Sequence, residues 1–190
     1  MNVWYKSWSH AARKYPARKQ TSFNVKGHIV EKLKLRAEDI EDLTILSAYL
    51  QDAITMMGDI VYQSESRRFV MMLNRYVWEN RCPETGTVLP NMGAPCSRIR
   101  TGLYFDDVLR ITSQNISTSL KEHPLELLAI ESWQRDDETF HTDFIFSGEG
   151  VIRLECEMIS VHMEDIGAAW PAKCHPKHEI LNALQSDSTG

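Results

Sequence analysis

The sequence lacks long apolar runs and an export signal, and both absences limit where the protein works. Its longest unbroken apolar run is the stretch from Phe69 to Leu73, far short of the roughly 20 residues that a membrane-spanning helix needs. The N-terminus carries positive charges but lacks the apolar stretch of about 7–15 residues that a secretory signal requires. The sequence therefore predicts a cytoplasmic protein without a transmembrane segment.

The familiar signatures of catalysis are missing as well. The chain contains no phosphate-binding GxxxxGKS/T or GxGxxG motif, no HExxH or GxSxG motif and no CxxC pair. These absences remove the enzyme classes that a short motif identifies. The pattern leaves enzyme activity open but favours a non-catalytic protein, and it gives no reason to expect a cofactor.

Cysteine is scarce, with four residues in the chain. In a reducing cytoplasm we expect free thiols rather than disulfides, including at Cys82 and Cys96, which bracket a long loop. The best metal-binding candidates are Cys174, His175 and His178, but a structural zinc site takes four ligands, usually in two spaced pairs. We therefore expect incidental side chains in a polar tail and no metal site.

The charge is unevenly distributed along the chain. Of the 21 basic residues, six lie in residues 1–28, which contain no acidic residue. The other 15 basic residues stand against all 26 acidic residues, so the rest of the chain carries a net charge of −11. An acidic surface repels phosphate, so nucleic acid is an expected partner only for residues 1–28.

The basic segment 1–28 is predicted to be a disordered arm because of its polarity. Two alternatives stay open at this point. A short amphipathic helix on an anionic membrane surface would use four residues that share one helical face, namely Trp4, Trp8, Ala12 and Tyr15. Alternatively, the native product begins near Val25 or Val30.

Periodicity predicts one helix followed by strands. Acidic residues crowd the first half of the segment from Arg36 to Gln51, where they favour a helix N-terminus, and apolar residues recur there at helical spacing. From Ala53 onwards the pattern is typical of strands in consecutive hairpins. The predicted strands are 54–57, 60–62, 69–78, 99–105, 108–116, 125–131, 144–146 and 151–157. The predicted class is α+β, with the N-terminal helix packed on a mainly antiparallel sheet.

Several turns and breaks divide these strands. Asp106 and Asp107 are expected to close a tight hairpin, residues 147–150 a glycine-rich one, and residues 134–138 a charged turn. The proline- and glycine-containing segment 80–95 is long for a structureless loop in a compact domain, which indicates function or mobility. We expect one domain over residues 29–170 and a flexible tail over residues 171–190.

The segment from Val151 to Met163 alternates apolar and polar residues and then slips by one position near Met158. Successive side chains of a strand point to opposite faces, so the alternation indicates a sheet with one buried and one solvated face. The slip predicts a bulge or a bend near Met158. The predicted hairpins at 60–78 and 144–163 are loosely alike, which raises the possibility of two repeated β-units.

Two groups of side chains are candidates for a site. His162, Glu164 and Asp165 are close in sequence, but on a strand His162 and Glu164 share a face, which is more typical of a solvated surface pair than of a proton-transfer site. Arginines on the predicted strands are candidates for a basic stripe that receives an acidic partner. The stripe would contain Arg98, Arg100 and Arg110, with Arg67, Arg68 and Arg75 nearby. The competing interpretation is ordinary cross-strand pairing with acidic neighbours.

Four segments of the chain resemble an alphaproteobacterial family, the domain-of-unknown-function family 2948. The segments are LRAED at residues 35–39, RFVMMLNR at 68–75, RTGLYFD at 100–106 and VHMEDIGAAW at 161–170. The resemblance covers about residues 33–175 and omits the basic arm. The motifs of this family have no assigned chemical role, so the resemblance implies no functional residue.

The sequence thus leaves two main hypotheses of function. The first is a small cytoplasmic interaction or accessory protein with a protein partner, which the two-faced sheet and the missing catalytic motifs favour. The second is a small-molecule-binding protein or an unrecognised enzyme with its site near the loop 80–95, because loops on rigid scaffolds often carry function.

Overall fold

The computed structural model of the protein describes residues 32–78, 97–135 and 138–172. Within these ranges the chain forms one α-helix and nine strands of a single antiparallel sheet. The elements are β1 (Lys34–Ala37), α1 (Ile40–Leu50), β2 (Ala53–Gln63), β3 (Arg68–Tyr76), β4 (Ser97–Phe105), β5 (Val108–Gln114), β6 (Pro124–Gln134), β7 (Phe140–Phe146), β8 (Gly150–Cys156) and β9 (Val161–Pro171). The predicted α+β class, with an early helix and an antiparallel sheet, is confirmed.

The strands follow the order β1-β9-β4-β3-β2-β6-β7-β8-β5 across the sheet. We call β1, β9, β4, β3 and β2 the first half of the sheet, and β6, β7, β8 and β5 the second half. The two halves join where residues 53–56 of β2 pair with β6. Two strands leave their chain neighbours, because β5 follows β4 but pairs with β8, and β9 follows β8 but pairs with β4.

The prediction of a tight β4–β5 hairpin at Asp106 and Asp107 is therefore wrong. Asp107 has a positive φ of 56°, and the chain leaves the first half of the sheet at this point. The two crossing segments bond to each other, since the Asp106 N–H donates to Ser160 O at 2.9 Å and the Glu157 N–H donates to Asp107 O at 3.0 Å. A two-residue turn signal does not specify which strand the next segment joins.

The slip near Met158 marks the second crossing. β8 ends at Cys156 and β9 begins at Val161, and the segment between them carries the chain back to the first half of the sheet. Met158 is 51% exposed, whereas Ile159 is buried. The expected bend is present, and it separates two strands instead of bulging one.

Gly58 interrupts the pairing of β2 without ending the strand. The sequence predicted two short strands around this glycine, but β2 is continuous and its register with β3 shifts between Thr55 and Ile60. The Gly58 N–H donates to Lys121 O at 2.7 Å. A Cβ atom at residue 58 would lie 3.0 Å from that carbonyl oxygen, so the close approach of the loop before β6 favours glycine.

Helix α1 begins later than the sequence predicted. Arg36 belongs to β1, where it is opposite His162, and the helix starts at Ile40 after the N-cap residue Asp39. Asp39 Oδ1 accepts the Asp42 N–H at 2.7 Å, which satisfies one of the N–H groups left free at a helix start. Acidic residues therefore crowd this region because they cap the helix.

The core lies between the two halves of the sheet and under α1. Phe69 and Phe105 of the first half both contact Phe144 of the second half, with ring centroids 5.4 Å apart in each case. Leu43, Leu46 and Leu50 of α1 are also buried and belong to the same cluster. The core places the outward side chains of each half on a separate external face.

Some predictions lie outside the described residues. These are the arm 1–28, the loop 80–95 with Cys82 and Cys96, and the tail from residue 173 onwards. No helix in the described part of the chain is long and apolar enough to cross a membrane. Apart from the edge strand β1, four strands lie on each side of the β2–β6 junction, and the expected duplication of two β-units stays a prediction.

Candidate functional site

The outward side chains of the second half of the sheet form two rows that run across its strands. In the first row Trp133 is opposite His141, which is opposite Glu155, which is opposite Arg110. The second row has the same geometry and consists of Glu131, Asp143, Arg153 and Thr112. We call these eight residues the Trp133 face.

Strand alternation produces this arrangement. Thr142 and Phe144 of β7 and Ile152 and Leu154 of β8 are buried on the inner side of the sheet. The residues between them must point outward because successive side chains of a strand alternate. The apolar spacing of β7 and β8 thus fixes which polar side chains meet on the Trp133 face.

Arg153 and Asp143 form a bidentate ion pair at the centre of the face. Arg153 donates from Nε to Oδ1 and from Nη2 to Oδ2, both at 2.6 Å. The hydrogen bond to Asp143 is the main reason that the pKa of Arg153 is raised. The guanidinium also lies 5.0 Å from the ring centroid of Trp133, which is within the range of a cation–π contact.

Arg110 and Glu155 form a second pair on the neighbouring strands. Arg110 donates to Glu155 Oε2 from Nε at 3.1 Å and from Nη2 at 2.8 Å. In both pairs the cation is the more exposed partner, since the side chains of Arg110 and Glu155 are 66% and 24% exposed, and those of Arg153 and Asp143 are 44% and 12% exposed. The face therefore presents guanidinium groups to solvent above largely covered carboxylates.

His141 is only 7% exposed although it belongs to the outward row. Its ring meets Trp133 in an edge-to-face contact, with centroids 5.6 Å apart. Its Nε2 atom lies 3.9 Å from Glu155 Oε2 and 3.5 Å from Arg135 Nη1. The 3.9 Å separation exceeds hydrogen-bond length, so the carboxylate does not orient the imidazole for proton transfer.

The Trp133 face contains only a small depression. A cavity of only about 10 Å³ lies between its side chains, lined by Arg110, Thr112, His141, Arg153 and Glu155. This volume is about that of one water probe and far below the roughly 300–1,000 Å³ of typical ligand pockets. The geometry can contact another surface, but it does not enclose a substrate.

The three arginines predicted to bind a partner are separated by the fold. Arg98 and Arg100 are outward residues of β4 in the first half, whereas Arg110 lies on the Trp133 face of the second half. Arg98 Nη1 donates to Asp52 O at 2.8 Å and to Asn74 O at 2.9 Å, and burial lowers the pKa of Arg98. A partner-binding role for the three stays a prediction.

The other arginines of the expected stripe pair with acidic groups. Arg68 contacts Asp106, and Arg67 contacts Asp107 and Glu157. Arg75 points inward and is fully buried. Its guanidinium binds the carboxylate of Asp165 on β9, so pairing with acidic side chains accounts for the positions of all three arginines.

His162 and Glu164 share the outward side of β9, as the sequence predicted, whereas Asp165 is buried on the inner side. His162 stacks on Tyr104 with ring centroids 4.7 Å apart. Burial, and after it the positive charge of Arg36, holds the pKa of His162 below its ordinary value. The three residues do not converge on one proton-transfer site.

Metal and thiol chemistry find little support in the described residues. Cys174, His175 and His178 lie outside them, and the described ranges contain no group of three metal-ligating side chains. Cys156 is buried in the core, and burial is the main reason that its thiol pKa is raised to about 12. This cysteine is therefore a protonated core residue and not a nucleophile.

Sequence reasoning missed most of the Trp133 face. The predicted strands stopped at residue 131 and began again at residue 144, whereas β6 extends to Gln134 and β7 begins at Phe140. The polar run from His141 to Asp143 does not have the composition of a typical strand. The alternation of Phe140, Thr142, Phe144 and Phe146 was the signal that could have identified it.

Comparison with known proteins identifies a family and no closer relative. No curated protein and no solved structure matches the chain. Residues 33–178 match the model of a family described as protein of unknown function (DUF2948). The matched region contains every helix and strand described above, and the chain belongs to this family.

Proposed function

We propose that the protein is a non-catalytic interaction or accessory protein and that its partner docks on the Trp133 face. The observation that supports this proposal is an array of arginine, histidine and tryptophan side chains held in place by two ion pairs, the bidentate Arg153–Asp143 pair and the Arg110–Glu155 pair, in which both donors share one carboxylate oxygen. Trp and Arg are enriched among the residues that dominate the binding energy of protein interfaces. Such side chains lose little freedom on binding when contacts already orient them.

β6 exposes two large apolar side chains, Trp133 on the Trp133 face and Leu128 at the register shift between Leu127 and Ala129, and we call these two side chains the apolar border. Leu128 is 42% exposed and Trp133 is 38% exposed, and both lie on the strand that joins the two halves of the sheet. A protein interface combines such apolar contact with polar groups. We therefore expect Leu128, Trp133 and Arg153 to contact the same partner.

The alternative is a small-molecule-binding protein or an enzyme with a site near the loop 80–95. That loop lies outside the described residues, and no contact among the described residues favours this alternative. The cytoplasmic location is a further part of this proposal. Arg98 and Arg100 lie on the other half of the sheet, so the proposed docking face does not include them.

Affinity capture with site-specific variants tests the proposed function. The full chain, carrying a photo-crosslinking residue at Leu128, is used as bait in a native lysate of its source, and retained proteins are identified by mass spectrometry. We expect the bait to retain one protein at stoichiometric yield and to crosslink to it at residue 128. The variant Trp133→Ala should no longer retain that protein. The matched control is Trp170→Ala, because Trp170 is also 38% exposed but lies on β9 in the first half.

Two results would contradict the proposal. If no protein is retained at stoichiometric yield, the accessory role fails. If Trp133→Ala and Trp170→Ala retain the partner equally well, the Trp133 face is not the docking surface.

A further inference from the structure

We infer that the Trp133 face recognises an acidic side chain in a protein segment, and that Arg110 and Arg153 receive its carboxylate. This inference rests on the proposed function and adds the chemistry of the partner. It depends on the unused donors of the two arginines, on their exposure, and on the apolar border of the face.

The two arginines keep hydrogen-bond donors that their ion pairs do not use. Arg110 and Arg153 each use Nε and Nη2 to bind their own carboxylate, and Nη1 of each has no partner in the described part of the chain. Thr112 is exposed and is opposite Arg153 in the register of β5 and β8. Two guanidinium Nη1 groups and one hydroxyl group are thus available around the same small cavity.

The side chains of Arg110 and Arg153 are already held in one orientation. Side-on pairing with Asp143 and Glu155 fixes the two guanidinium planes before a partner arrives, so less side-chain entropy is lost on binding. The cavity of about 10 Å³ is too small for a free metabolite and has room for about one oxygen atom, such as one oxygen of a carboxylate group that approaches from solvent. A charge-assisted hydrogen bond from each guanidinium would be among the stronger polar contacts of an interface.

The negative charge of the surrounding chain limits where an acidic partner can bind. The chain outside residues 1–28 carries a net charge of −11, so most of its surface repels an acidic partner. The guanidinium groups of Arg110 and Arg153 are more exposed than the carboxylates that they bind. An acidic partner is therefore attracted to this side of the molecule. Glu131 is exposed in the second row, beside Asp143, and it confines acidic contacts to the β8–β5 side of the face.

The exposed apolar side chains beside the two arginines favour a protein segment over a small anion as the ligand. Leu128 and Trp133 expose large apolar side chains on β6, and inorganic phosphate has no group that contacts them favourably. A peptide that carries acidic and apolar side chains can occupy both parts of the face. The structure therefore favours an acidic protein segment over a free anion.

The test uses the isotope-labelled full chain and three probes in NMR titrations. The probes are an end-blocked peptide of glutamates around one leucine, the same peptide with lysines in place of the glutamates, and inorganic phosphate. We expect saturable shifts of the Arg110, Arg153 and Trp133 side-chain N–H signals with the acidic peptide alone. Equal saturable shifts with phosphate would show a small-anion site and overturn the inference, as would the absence of saturable shifts.

Variants separate this inference from the proposed function. Arg110→Gln with Arg153→Gln should weaken binding of the acidic peptide about tenfold or more, because two charge-assisted contacts are lost. Arg36→Gln is the matched control, since Arg36 is 61% exposed on β1 at the opposite edge of the sheet. Should the double variant fail to fold, Arg110→Lys with Arg153→Lys keeps both charges, loses the planar fork and should also weaken binding.

Unchanged peptide affinity in a folded double variant would overturn the inference. The lysate partner then distinguishes the two proposals. If Trp133→Ala abolishes its capture and the double arginine variant does not, the docking face stands and the acidic determinant is wrong. If neither variant reduces capture, the proposed function itself fails.

Discussion

The side chains of Arg75 and Asp165 form a bidentate ion pair with no solvent exposure. Arg75 donates from Nε to Oδ1 at 2.8 Å and from Nη2 to Oδ2 at 2.6 Å. Thr101 Oγ1 donates to Oδ1 at 2.8 Å, and the Leu33 N–H donates to Oδ2 at 2.9 Å. One carboxylate thus connects β3, β4 and β9 with the residue that precedes β1.

We predict that Asp165→Asn lowers the free energy of unfolding by about 3–5 kcal/mol, because it leaves the Arg75 charge buried without a counter-ion. Denaturant unfolding of the purified protein measures this loss. Arg36→Gln is the control, since the exposed pair that it breaks should contribute at most about 1 kcal/mol. A loss below about 1 kcal/mol in Asp165→Asn would show that the pair does not stabilise the fold.

The same prediction has a pH dependence. Burial by itself raises the pKa of Asp165, but hydrogen bonds from Arg75, Leu33 and Thr101 outweigh burial and hold the pKa below its ordinary value. A carboxyl group with a lowered folded-state pKa stabilises the protein above its unfolded pKa of about 4 and loses this contribution as the pH falls further. The acid-induced loss of stability should therefore be smaller in Asp165→Asn.

Only part of this residue chemistry could be predicted from the sequence. Arg110 was identified because basic residues on strands are visible in the sequence, and it lies on the Trp133 face. Asp165 stood beside His162 in the predicted surface cluster, yet β9 places it inward, where Arg75 of β3 meets it. The partner of a buried charge comes from a distant strand, so local sequence does not reveal it.

At the scale of elements, the side chain of Ser47 forms a hydrogen bond between α1 and β6. Ser47 Oγ accepts the Ile130 N–H at 2.8 Å. This bond lies close to the register shift between Leu127 and Ala129, where β6 loses regular pairing with β7. A bulge leaves a backbone group without a strand partner, and here the helix supplies the missing acceptor.

We predict that Ser47→Ala costs about 1–3 kcal/mol of stability, because the Ile130 N–H then stays buried without an acceptor. Thr44→Ala is the matched control. The Thr44 hydroxyl is exposed and bonds the Ile40 carbonyl within the helix itself, so its removal should change stability by less than about 0.5 kcal/mol. Denaturant unfolding measures the loss of stability in both variants. Equal losses would show that the hydrogen bond between Ser47 and Ile130 does not stabilise the contact of α1 with β6.

The sequence was sufficient to predict that the helix and most of the strands exist. It was not sufficient to predict which strands pair with each other in the sheet. Hydrophobic periodicity identified α1, β3, β4 and β8, because these segments carry regular apolar spacing. The β7–β8 hairpin was predicted correctly from its glycine-rich turn, and the two strands are paired. The prediction of a β4–β5 hairpin from the two residues Asp106 and Asp107 was wrong, because the strand that β5 joins depends on the whole sheet.

At the scale of the whole molecule, the exchange of β5 and β9 makes each half of the sheet dependent on the other. Lys34 of β1 pairs with Glu164 of β9, and Arg110 of β5 pairs with Glu155 of β8. Such pairings join distant parts of the chain and must overcome a large loop-closure entropy. The alternation of apolar and polar residues shows which face of a strand is buried. It does not show that β5 pairs with β8 and β9 with β4.

A chain cut in the exposed loop before β6 tests this dependence. Fragment 1–119 contains β5 without its sheet neighbour β8, and fragment 120–190 contains β9 without β1 and β4. We predict that neither fragment unfolds cooperatively alone and that an equimolar mixture recovers a cooperative transition, measured by circular dichroism. A shorter second fragment, residues 120–160, lacks β9 and should not restore the cooperative transition. Cooperative unfolding of fragment 1–119 alone would mean that β1 to β5 fold without β6 to β9, and the exchange would then add contacts without being required for folding.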